Sequence, residues 1–383
     1  MKISLTNILF ILIIFQLLFL SLFLLTQKKG KRISNILLGS FFLSICINLL
    51  DFFLLQEGFY VSILRLAGLG SCLPLLFGPL IYFYTKSVIY KNFFFRLKNI
   101  LHFLPFLVLC ACTEYYYLGQ SRSSQENILS GFRSHHFPIL ISVVSTLIFI
   151  QFLIYVLASL NLVSGYKKAS SQYFSDSKNI DVSWLYTTLI FFIAIIIISA
   201  LNGMIVQTHW SKYFLTVFNC IIFFMLLYVI RVMLKALRRP DFFSISGEEE
   251  FHDQYPDSHL KNYPKQENIE AARIAQIVLK YVKNNKPYLN PELTLDQLAS
   301  QLSLRSRLLS QVINVELGQN FYDFINRNRI EEASRLLTNP KDRKITVLEV
   351  LYEVGFNSKS SFNTLFKKYT GLTPSEYKKK NLL

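Results

Sequence analysis

The first 240 residues contain seven apolar runs, each long enough to cross about 30 Å of hydrocarbon. No other feature of the chain constrains its fold as tightly. In hydrocarbon every backbone N–H and C=O must be satisfied internally, which leaves helices as the spanning structure for runs of this length. The runs cover residues 5–26, 33–55, 60–84, 100–118, 137–165, 184–204 and 213–234. The first has no small-residue cleavage site before Gln27-Lys28-Lys29 and reads as an anchor rather than a leader.

Basic residues set the orientation, because loops rich in Lys and Arg stay on the cytoplasmic side. Residues 1–240 carry twenty of the 40 Lys and Arg but only six of the 24 acids, so most of the net +16 belongs to this half. One set of loops holds fourteen basic residues: Lys28, Lys29, Lys31, Arg32, Lys86, Lys91, Arg96, Lys98, Lys167, Lys168, Lys178, Lys235, Arg238 and Arg239. The opposite set, with the N-terminus, holds four: Lys2, Arg122, Arg133 and Lys212. Seven spans then place the N-terminus outside and everything after Pro240 in the cytoplasm. The expected location is the cell inner (cytoplasmic) membrane, with the lipid bilayer as a partner.

Polar groups inside apolar runs are expensive and mark signal sites or helix contacts. Asp51, Arg65, Glu114 and Asn202 are the candidates here, with Asn48 beside them. Asp51 and Arg65 flank the short turn Gln56-Glu57-Gly58 and are placed to form an ion pair near the outer surface. The bland alternative is that Asp51, Arg65 and Glu114 lie within snorkelling reach of headgroups. All five cysteines (Cys46, Cys72, Cys110, Cys112, Cys220) fall in apolar runs without metal-ligand spacing and read as small buried apolar residues. His102, His135, His136 and His209 have no catalytic partners at useful spacing. No metal, cofactor or enzymatic centre is expected.

Residues 241–267, with Glu248-Glu249-Glu250, Pro256 and Pro264, read as a polar linker. Helical spacing resumes at residues 268–284. That helix either packs on the domain that follows or pairs with its copy in a homodimer; the sequence leaves both open.

The remaining chain contains a repeat. Thr294 to Gln297 (TLDQ) forms a capping box that opens a helix, a turn falls near Ser303, and a second helix runs to about residue 316. Thr346 to Glu349 (TVLE) opens a second such pair, with Gly355 at the sharp turn and the next helix beginning near Ser358. Two helices joined by a short turn form the helix-turn-helix pattern. The units cover about 294–316 and 346–369, and an amphipathic connector at 321–337 joins them. Phe362, Leu365, Phe366 and Tyr369 form a buried stripe, which leaves Lys359, Ser360, Asn363 and Thr364 on the other face. In the first unit Leu308, Leu309, Val312 and Ile313 face inward, leaving Arg307, Ser310, Gln311 and Asn314. Such residue types read base edges in the major groove. Lys367, Lys368 and the Lys378–Lys380 run suit phosphate contacts.

The segments LTLDQLA, LGQNFYDFINRNRIEEASRLL and VGFNSKSSFNTLFKKYTGLTPSEY resemble the AraC/XylS family of transcriptional regulators. The likeness covers residues from about Tyr288 to Tyr377. It implies base contact by Arg307, Ser310 and Gln311 in the first unit, and by Lys359, Ser360, Asn363 and Thr364 in the second. Two departures stand out. Arg305 replaces the usual capping Ser, so the helix frays or starts at Ser306, and Leu351 replaces a usual Ala, whose extra bulk the packing must absorb. More loosely, FGPLIYFYTKS and LKNILHFLPF resemble membrane domains fused to AraC-type modules in bacteria.

The expected fold class is all-α: a seven-helix transmembrane bundle (1–240), the linker, and a cytoplasmic DNA-binding domain (268–383). The expected function is a one-component membrane regulator that binds double-stranded promoter DNA under control of a signal ligand or a partner membrane protein. The alternative is a transporter or enzyme with an appended regulatory domain. A bare anchor would need one span, not seven.

Overall fold

Runs that are apolar on every side form helices whose apolar surface is only partly covered by protein. A computed structural model of the chain describes residues 5–61, 70–90, 93–133, 139–175, 182–205, 208–238, 268–338 and 345–381. Among the described residues there are fifteen α-helices and no strand; one isolated antiparallel bridge joins Phe174 and Thr294. The chain divides into two compact units. Met1–Val163 with Ser183–Glu249 form the first, and Ser164–Val182 with Glu250–Leu383 form the second. Residues 164–175, which the apolar pattern groups with the first half, therefore belong to the second unit.

The first unit contains α1 (Leu5–Thr26), α2 (Arg32–Gln56), α3 (Pro74–Ile89), α4 (Leu104–Leu118), α5 (Arg122–Arg133), most of α6 (Ile139–Ser170), α7 (Ser183–Ile205) and α8 (Phe214–Arg238). Helix α2 packs against both α1 and α3, while α8 packs against α1 and α7. Where α1 crosses α2, the Ser21 hydroxyl donates to the Gly39 carbonyl at 2.9 Å. A Cβ on Gly39 would lie 2.9 Å from the Leu25 side chain, so the small residue permits the close approach.

Six helical stretches among the described residues are long and apolar enough to cross a membrane: Leu5–Thr26, Arg32–Gln56, Leu97–Leu118, Val143–Ser170, Ser183–Ile205 and Ser211–Leu237. The run at 60–84 is not one continuous helix. A 3-10 turn occupies Phe59–Val61, residues 62–69 lie outside the described residues, and α3 begins only at Pro74. Proline suits a first helical turn and disfavours helix in the residue before it, which moves this start toward the C-terminus. With 16 residues, α3 is roughly 24 Å long. The amphipathic α5 was not foreseen; it packs against α2 and the Phe59–Val61 turn.

Hydrogen bonds fix which helix ends lie together in this unit. Lys31 Nζ donates to the carbonyls of Ser87 and Tyr90, so the start of α2 meets the end of α3. Asn7 donates to Glu57 at 2.9 Å and Asn219 to Thr6 at 3.0 Å, so the starts of α1 and α8 meet the end of α2. Asp51 is buried and accepts from the Tyr60 hydroxyl at 2.6 Å. Its expected partner Arg65 lies outside the described residues. Asn202 is buried and donates to the Phe214 carbonyl at 3.3 Å, whereas Glu114 is half-buried on α4. The cysteine expectation needs correction. Cys46 and Cys72 are buried, Cys110 is half-buried, and Cys112 and Cys220 are exposed, because helices of this composition carry apolar residues on their outer faces as well.

The second unit contains α9 (Asn268–Asn285), α10 (Leu295–Gln301), α11 (Ser306–Gln311), α12 (Phe321–Leu337), α13 (Val347–Glu353), α14 (Lys359–Thr370) and α15 (Pro374–Asn381). It has two cores. Val278, Val282, Leu295, Leu298, Leu309, Ile313, Phe321, Phe324 and Ile325 belong to one. Ile330, Ala333, Leu337, Val350, Leu351, Phe362 and Phe366 belong to the other. Helix α12 thus gives its first half to one core and its second half to the other. Helix α9 packs into the first core through Val278 and Val282. Leu351, only 1% exposed, is absorbed within the second core.

Candidate nucleic-acid interface

Each reading unit begins with a reciprocal cap. Thr294 accepts from the Gln297 N–H at 3.2 Å, and the Gln297 side chain accepts from the Thr294 N–H at 3.1 Å. Thr346 and Glu349 repeat the pattern at 3.1 and 2.7 Å. The backbone N–H of Thr346, then its hydroxyl, hold the Glu349 carboxyl below its ordinary pKa. These bonds satisfy orphan donors at the starts of α10 and α13.

The turns differ. In the first unit Ser303 takes the left-handed conformation at φ 54°, and α11 then starts at Ser306. Arg305, at the cap position, makes no capping bond, as expected of a side chain that has donors but no acceptor. In the second unit Gly355 sits at φ 87°, and Ser358 caps α14 by accepting from Ser361 N–H.

On α14, Lys359, Ser360, Thr364, Lys367 and Lys368 are exposed and Asn363 is half-buried, while Phe362, Leu365 and Phe366 lie in the core. The exposed residues therefore share the face opposite the core. On α11, Arg307 is exposed and Gln311 half-buried. Ser310 differs: it is 9% exposed, and Asn314 Nδ2 donates to its carbonyl at 2.8 Å and its hydroxyl at 3.3 Å. Ser310 thus faces the packed side and helps to orient Asn314. The helix widens into a π turn at Val312–Glu316, directly after Gln311.

Two of the basic residues already have partners. Lys368 Nζ donates to Asp323 Oδ1 at 2.9 Å, as does the Tyr369 hydroxyl at 2.8 Å. Burial pushes the Asp323 carboxyl up. The Lys368 and Tyr369 hydrogen bonds, the Lys368 charge and the Asn320 amide outweigh it and hold the group below its ordinary value. This cluster ties the start of the connector α12 to the end of α14. Lys378 donates to the Ile345 carbonyl and is half-buried, whereas Lys379 and Lys380 are exposed.

Sequence reading missed a polar centre on α12. Arg329 is 1% exposed and donates to Tyr288 O at 2.7 Å, Asn290 O at 2.7 Å, Ser175 O and Oγ at 3.2 Å each, and Asn326 Oδ1 at 3.3 Å. Its guanidinium also lies 5.5 Å from the centre of the Phe356 ring. One signal was visible beforehand: Arg329 stands four residues after Ile325 and four before Ala333, inside the apolar stripe of the connector.

Two capped helix pairs on a shared connector define a helix-turn-helix DNA-binding domain. Residues 298–380 match the family profile described as "Helix-turn-helix domain". An uncharacterized HTH-type transcriptional regulator in the cgkA 5' region of Pseudoalteromonas carrageenovora is 30% identical over 127 residues, or 33% of this chain and 72% of that protein. The chain belongs to the AraC-type family of helix-turn-helix transcriptional regulators. The uncharacterized transcriptional regulatory protein YesN of Bacillus subtilis (strain 168) is 36% identical over 93 residues; the match covers 24% of this chain and only 25% of YesN. Among solved structures, the C-terminal domain of AraT, a response regulator from Geobacillus stearothermophilus, is 28% identical. It covers 29% of this chain and 87% of that one, with a TM-score of 0.26.

Proposed function

We propose that this protein is a membrane-embedded one-component regulator, in which a signal sensed by the first unit controls promoter binding by the second. The observation that carries the reading is one chain holding both six membrane-length apolar helices and a helix-turn-helix DNA-binding domain. Counting α3, the chain crosses the bilayer seven times, with the N-terminus outside and the DNA-binding domain in the cytoplasm of a bacterial cell. The pairing of helix ends supports this count. Lys31 and the end of α3 meet at one end of the unit, and the starts of α1 and α8 meet at the other. The basic loops then fall on one side, as the positive-inside rule requires.

In this reading Arg307, Gln311, Lys359, Ser360, Asn363 and Thr364 contact bases, and Lys367 contacts phosphate. Ser310 acts through Asn314, and Lys368 divides its charge between Asp323 and DNA. A cavity of about 280 Å³ in the first unit, lined by Asn48, Ser71, Ser145, Ser199 and aromatic residues that include Phe41 and Phe192, offers the signal a site. Its lining suits a small, mostly apolar molecule. A ligand shifts the regulator only by binding one arrangement of the helices more tightly than the other.

Two experiments test the reading. Lys359→Ala should weaken promoter binding about tenfold and change reporter expression accordingly, because a good side chain–base pair contributes roughly 1–3 kcal/mol. Unchanged reporter output would remove Lys359 from the interface. Replacing residues 1–163 with a single unrelated span, which keeps the whole second unit, should leave DNA binding intact but abolish its dependence on signal. A chimera that still responded fully would defeat the sensor reading.

A further inference from the structure

The segment between α6 and α7 is built into the DNA-binding unit. Residues 171–173 turn out of the end of α6, and with Phe174 and Ser175 they lie against α10 and α12. Tyr322 N–H, at the start of α12, donates to Ser171 O at 2.9 Å. Leu295 N–H, at the start of α10, donates to Tyr173 O at 2.9 Å, and Phe174 forms its bridge with Thr294. Tyr173 packs on the first core, Phe174 is buried, and Ser175 is 1% exposed. Ser175 Oγ donates to Leu293 O at 2.6 Å, while Ser175 O accepts from Asn326 at 2.9 Å and from Arg329. A loop that merely rested on a surface would not bury its backbone in so many specific bonds.

We infer that residues 171–175 form an internal strap, a short turn segment docked between α10 and α12, through which α6 and α7 control the reading units. The inference rests on the regulator reading above and adds a second path to the chain connection after α8. Helix α6 has 32 residues, roughly 48 Å against about 30 Å of hydrocarbon. Its last turns, with Lys167 and Lys168, therefore carry the chain out of the bilayer to the strap.

From Ser175 the path continues through Arg329. That guanidinium holds the Tyr288 and Asn290 carbonyls and backs onto Phe356, beside the turn of the second unit. A shift of α6 that withdraws Ser175 deprives the buried cation of two of its five acceptors. The cation and the elements packed on it must then rearrange. The strap thereby links helix movement to the packing that holds the reading helices on α12.

The test uses the full chain in isolated membranes. In a Ser171→Cys/Tyr322→Cys variant the paired backbone positions lie within disulfide range. Oxidation with copper phenanthroline should give an intrachain cross-link, identified by peptide mass, that the Ser171→Cys/Lys359→Cys pair does not give. Ser175→Ala should speed hydrogen exchange over residues 288–330 about tenfold, the loss expected for one hydrogen bond to a charged group. It should also change recovery of genomic DNA fragments with the immunoprecipitated chain several-fold. No cross-link above the control, with DNA still recovered, would overturn the strap alone. A Ser175→Ala chain matching the wild type in both exchange and DNA recovery would overturn the coupling. A cross-linked chain that recovers no DNA would instead sink the regulator reading on which the coupling depends.

Discussion

Gly355→Ala is expected to destabilise the second reading unit by about 3 kcal/mol and to abolish promoter binding. Two costs combine. A residue with a Cβ pays roughly 1–2 kcal/mol for the left-handed conformation, which Gly355 adopts at φ 87°. The added Cβ would also lie 2.7 Å from Leu289 O and 2.8 Å from Tyr288 O, and such overpacking typically costs about 1–3 kcal/mol. These are backbone atoms and cannot swing aside. Gly371 provides the control: its φ is 80°, but a Cβ there meets nothing within 4 Å. Gly371→Ala should cost only the conformational part, about 1 kcal/mol. The resistance of the two variants to proteolysis between residues 345 and 381 would reveal the difference. Equal resistance would mean that the approach of Gly355 to the Tyr288–Leu289 backbone does not limit the fold.

Arg329→Leu is expected to be equally damaging by another route. Leucine approximates the buried stem but leaves the Tyr288, Asn290 and Ser175 oxygens without the donors that Arg329 gave them. Each buried group so orphaned costs about 1–3 kcal/mol, and the loss should total about 3–5 kcal/mol. Arg329→Lys should restore little, since a single ammonium cannot reproduce the planar fork that reaches five oxygens. Steady-state abundance of the full chain in membranes and its recovery of promoter DNA would both report the loss. If Arg329→Lys behaved like wild type, the centre would be a general positive charge rather than a shaped one.

These predictions concern features of unequal visibility in sequence. The capping boxes at Thr294 and Thr346 were legible because each is a local pattern of four residues that satisfies its own donors. The face of α14 was legible because a regular helix of 12 residues keeps its period. Ser310 was misplaced for the opposite reason. Helix α11 has six residues and then widens into a π turn, so the spacing that sorts faces on a regular helix no longer holds. The run at 60–84 looked like one span because hydropathy sees composition, whereas Pro74 decides where α3 begins. The partners of Lys368 and Lys378 lie 45 and 33 residues away. The strap is further removed: Ser175 and Arg329 are 154 residues apart. No periodicity links them, and only an arginine set among the apolar positions of α12 hinted at a buried polar partner.

Because α12 belongs to both cores, the two readers share one ruler of fixed pitch. A residue inserted between Ile325 and Ile330 would advance the second reader by about 1.5 Å and turn it by about 100°, away from the side of the DNA that the first one faces. Change in the separation of the two sites read on a promoter is thus confined to steps that nearly restore the helical phase. Operators for this protein should keep one spacing even where their bases vary.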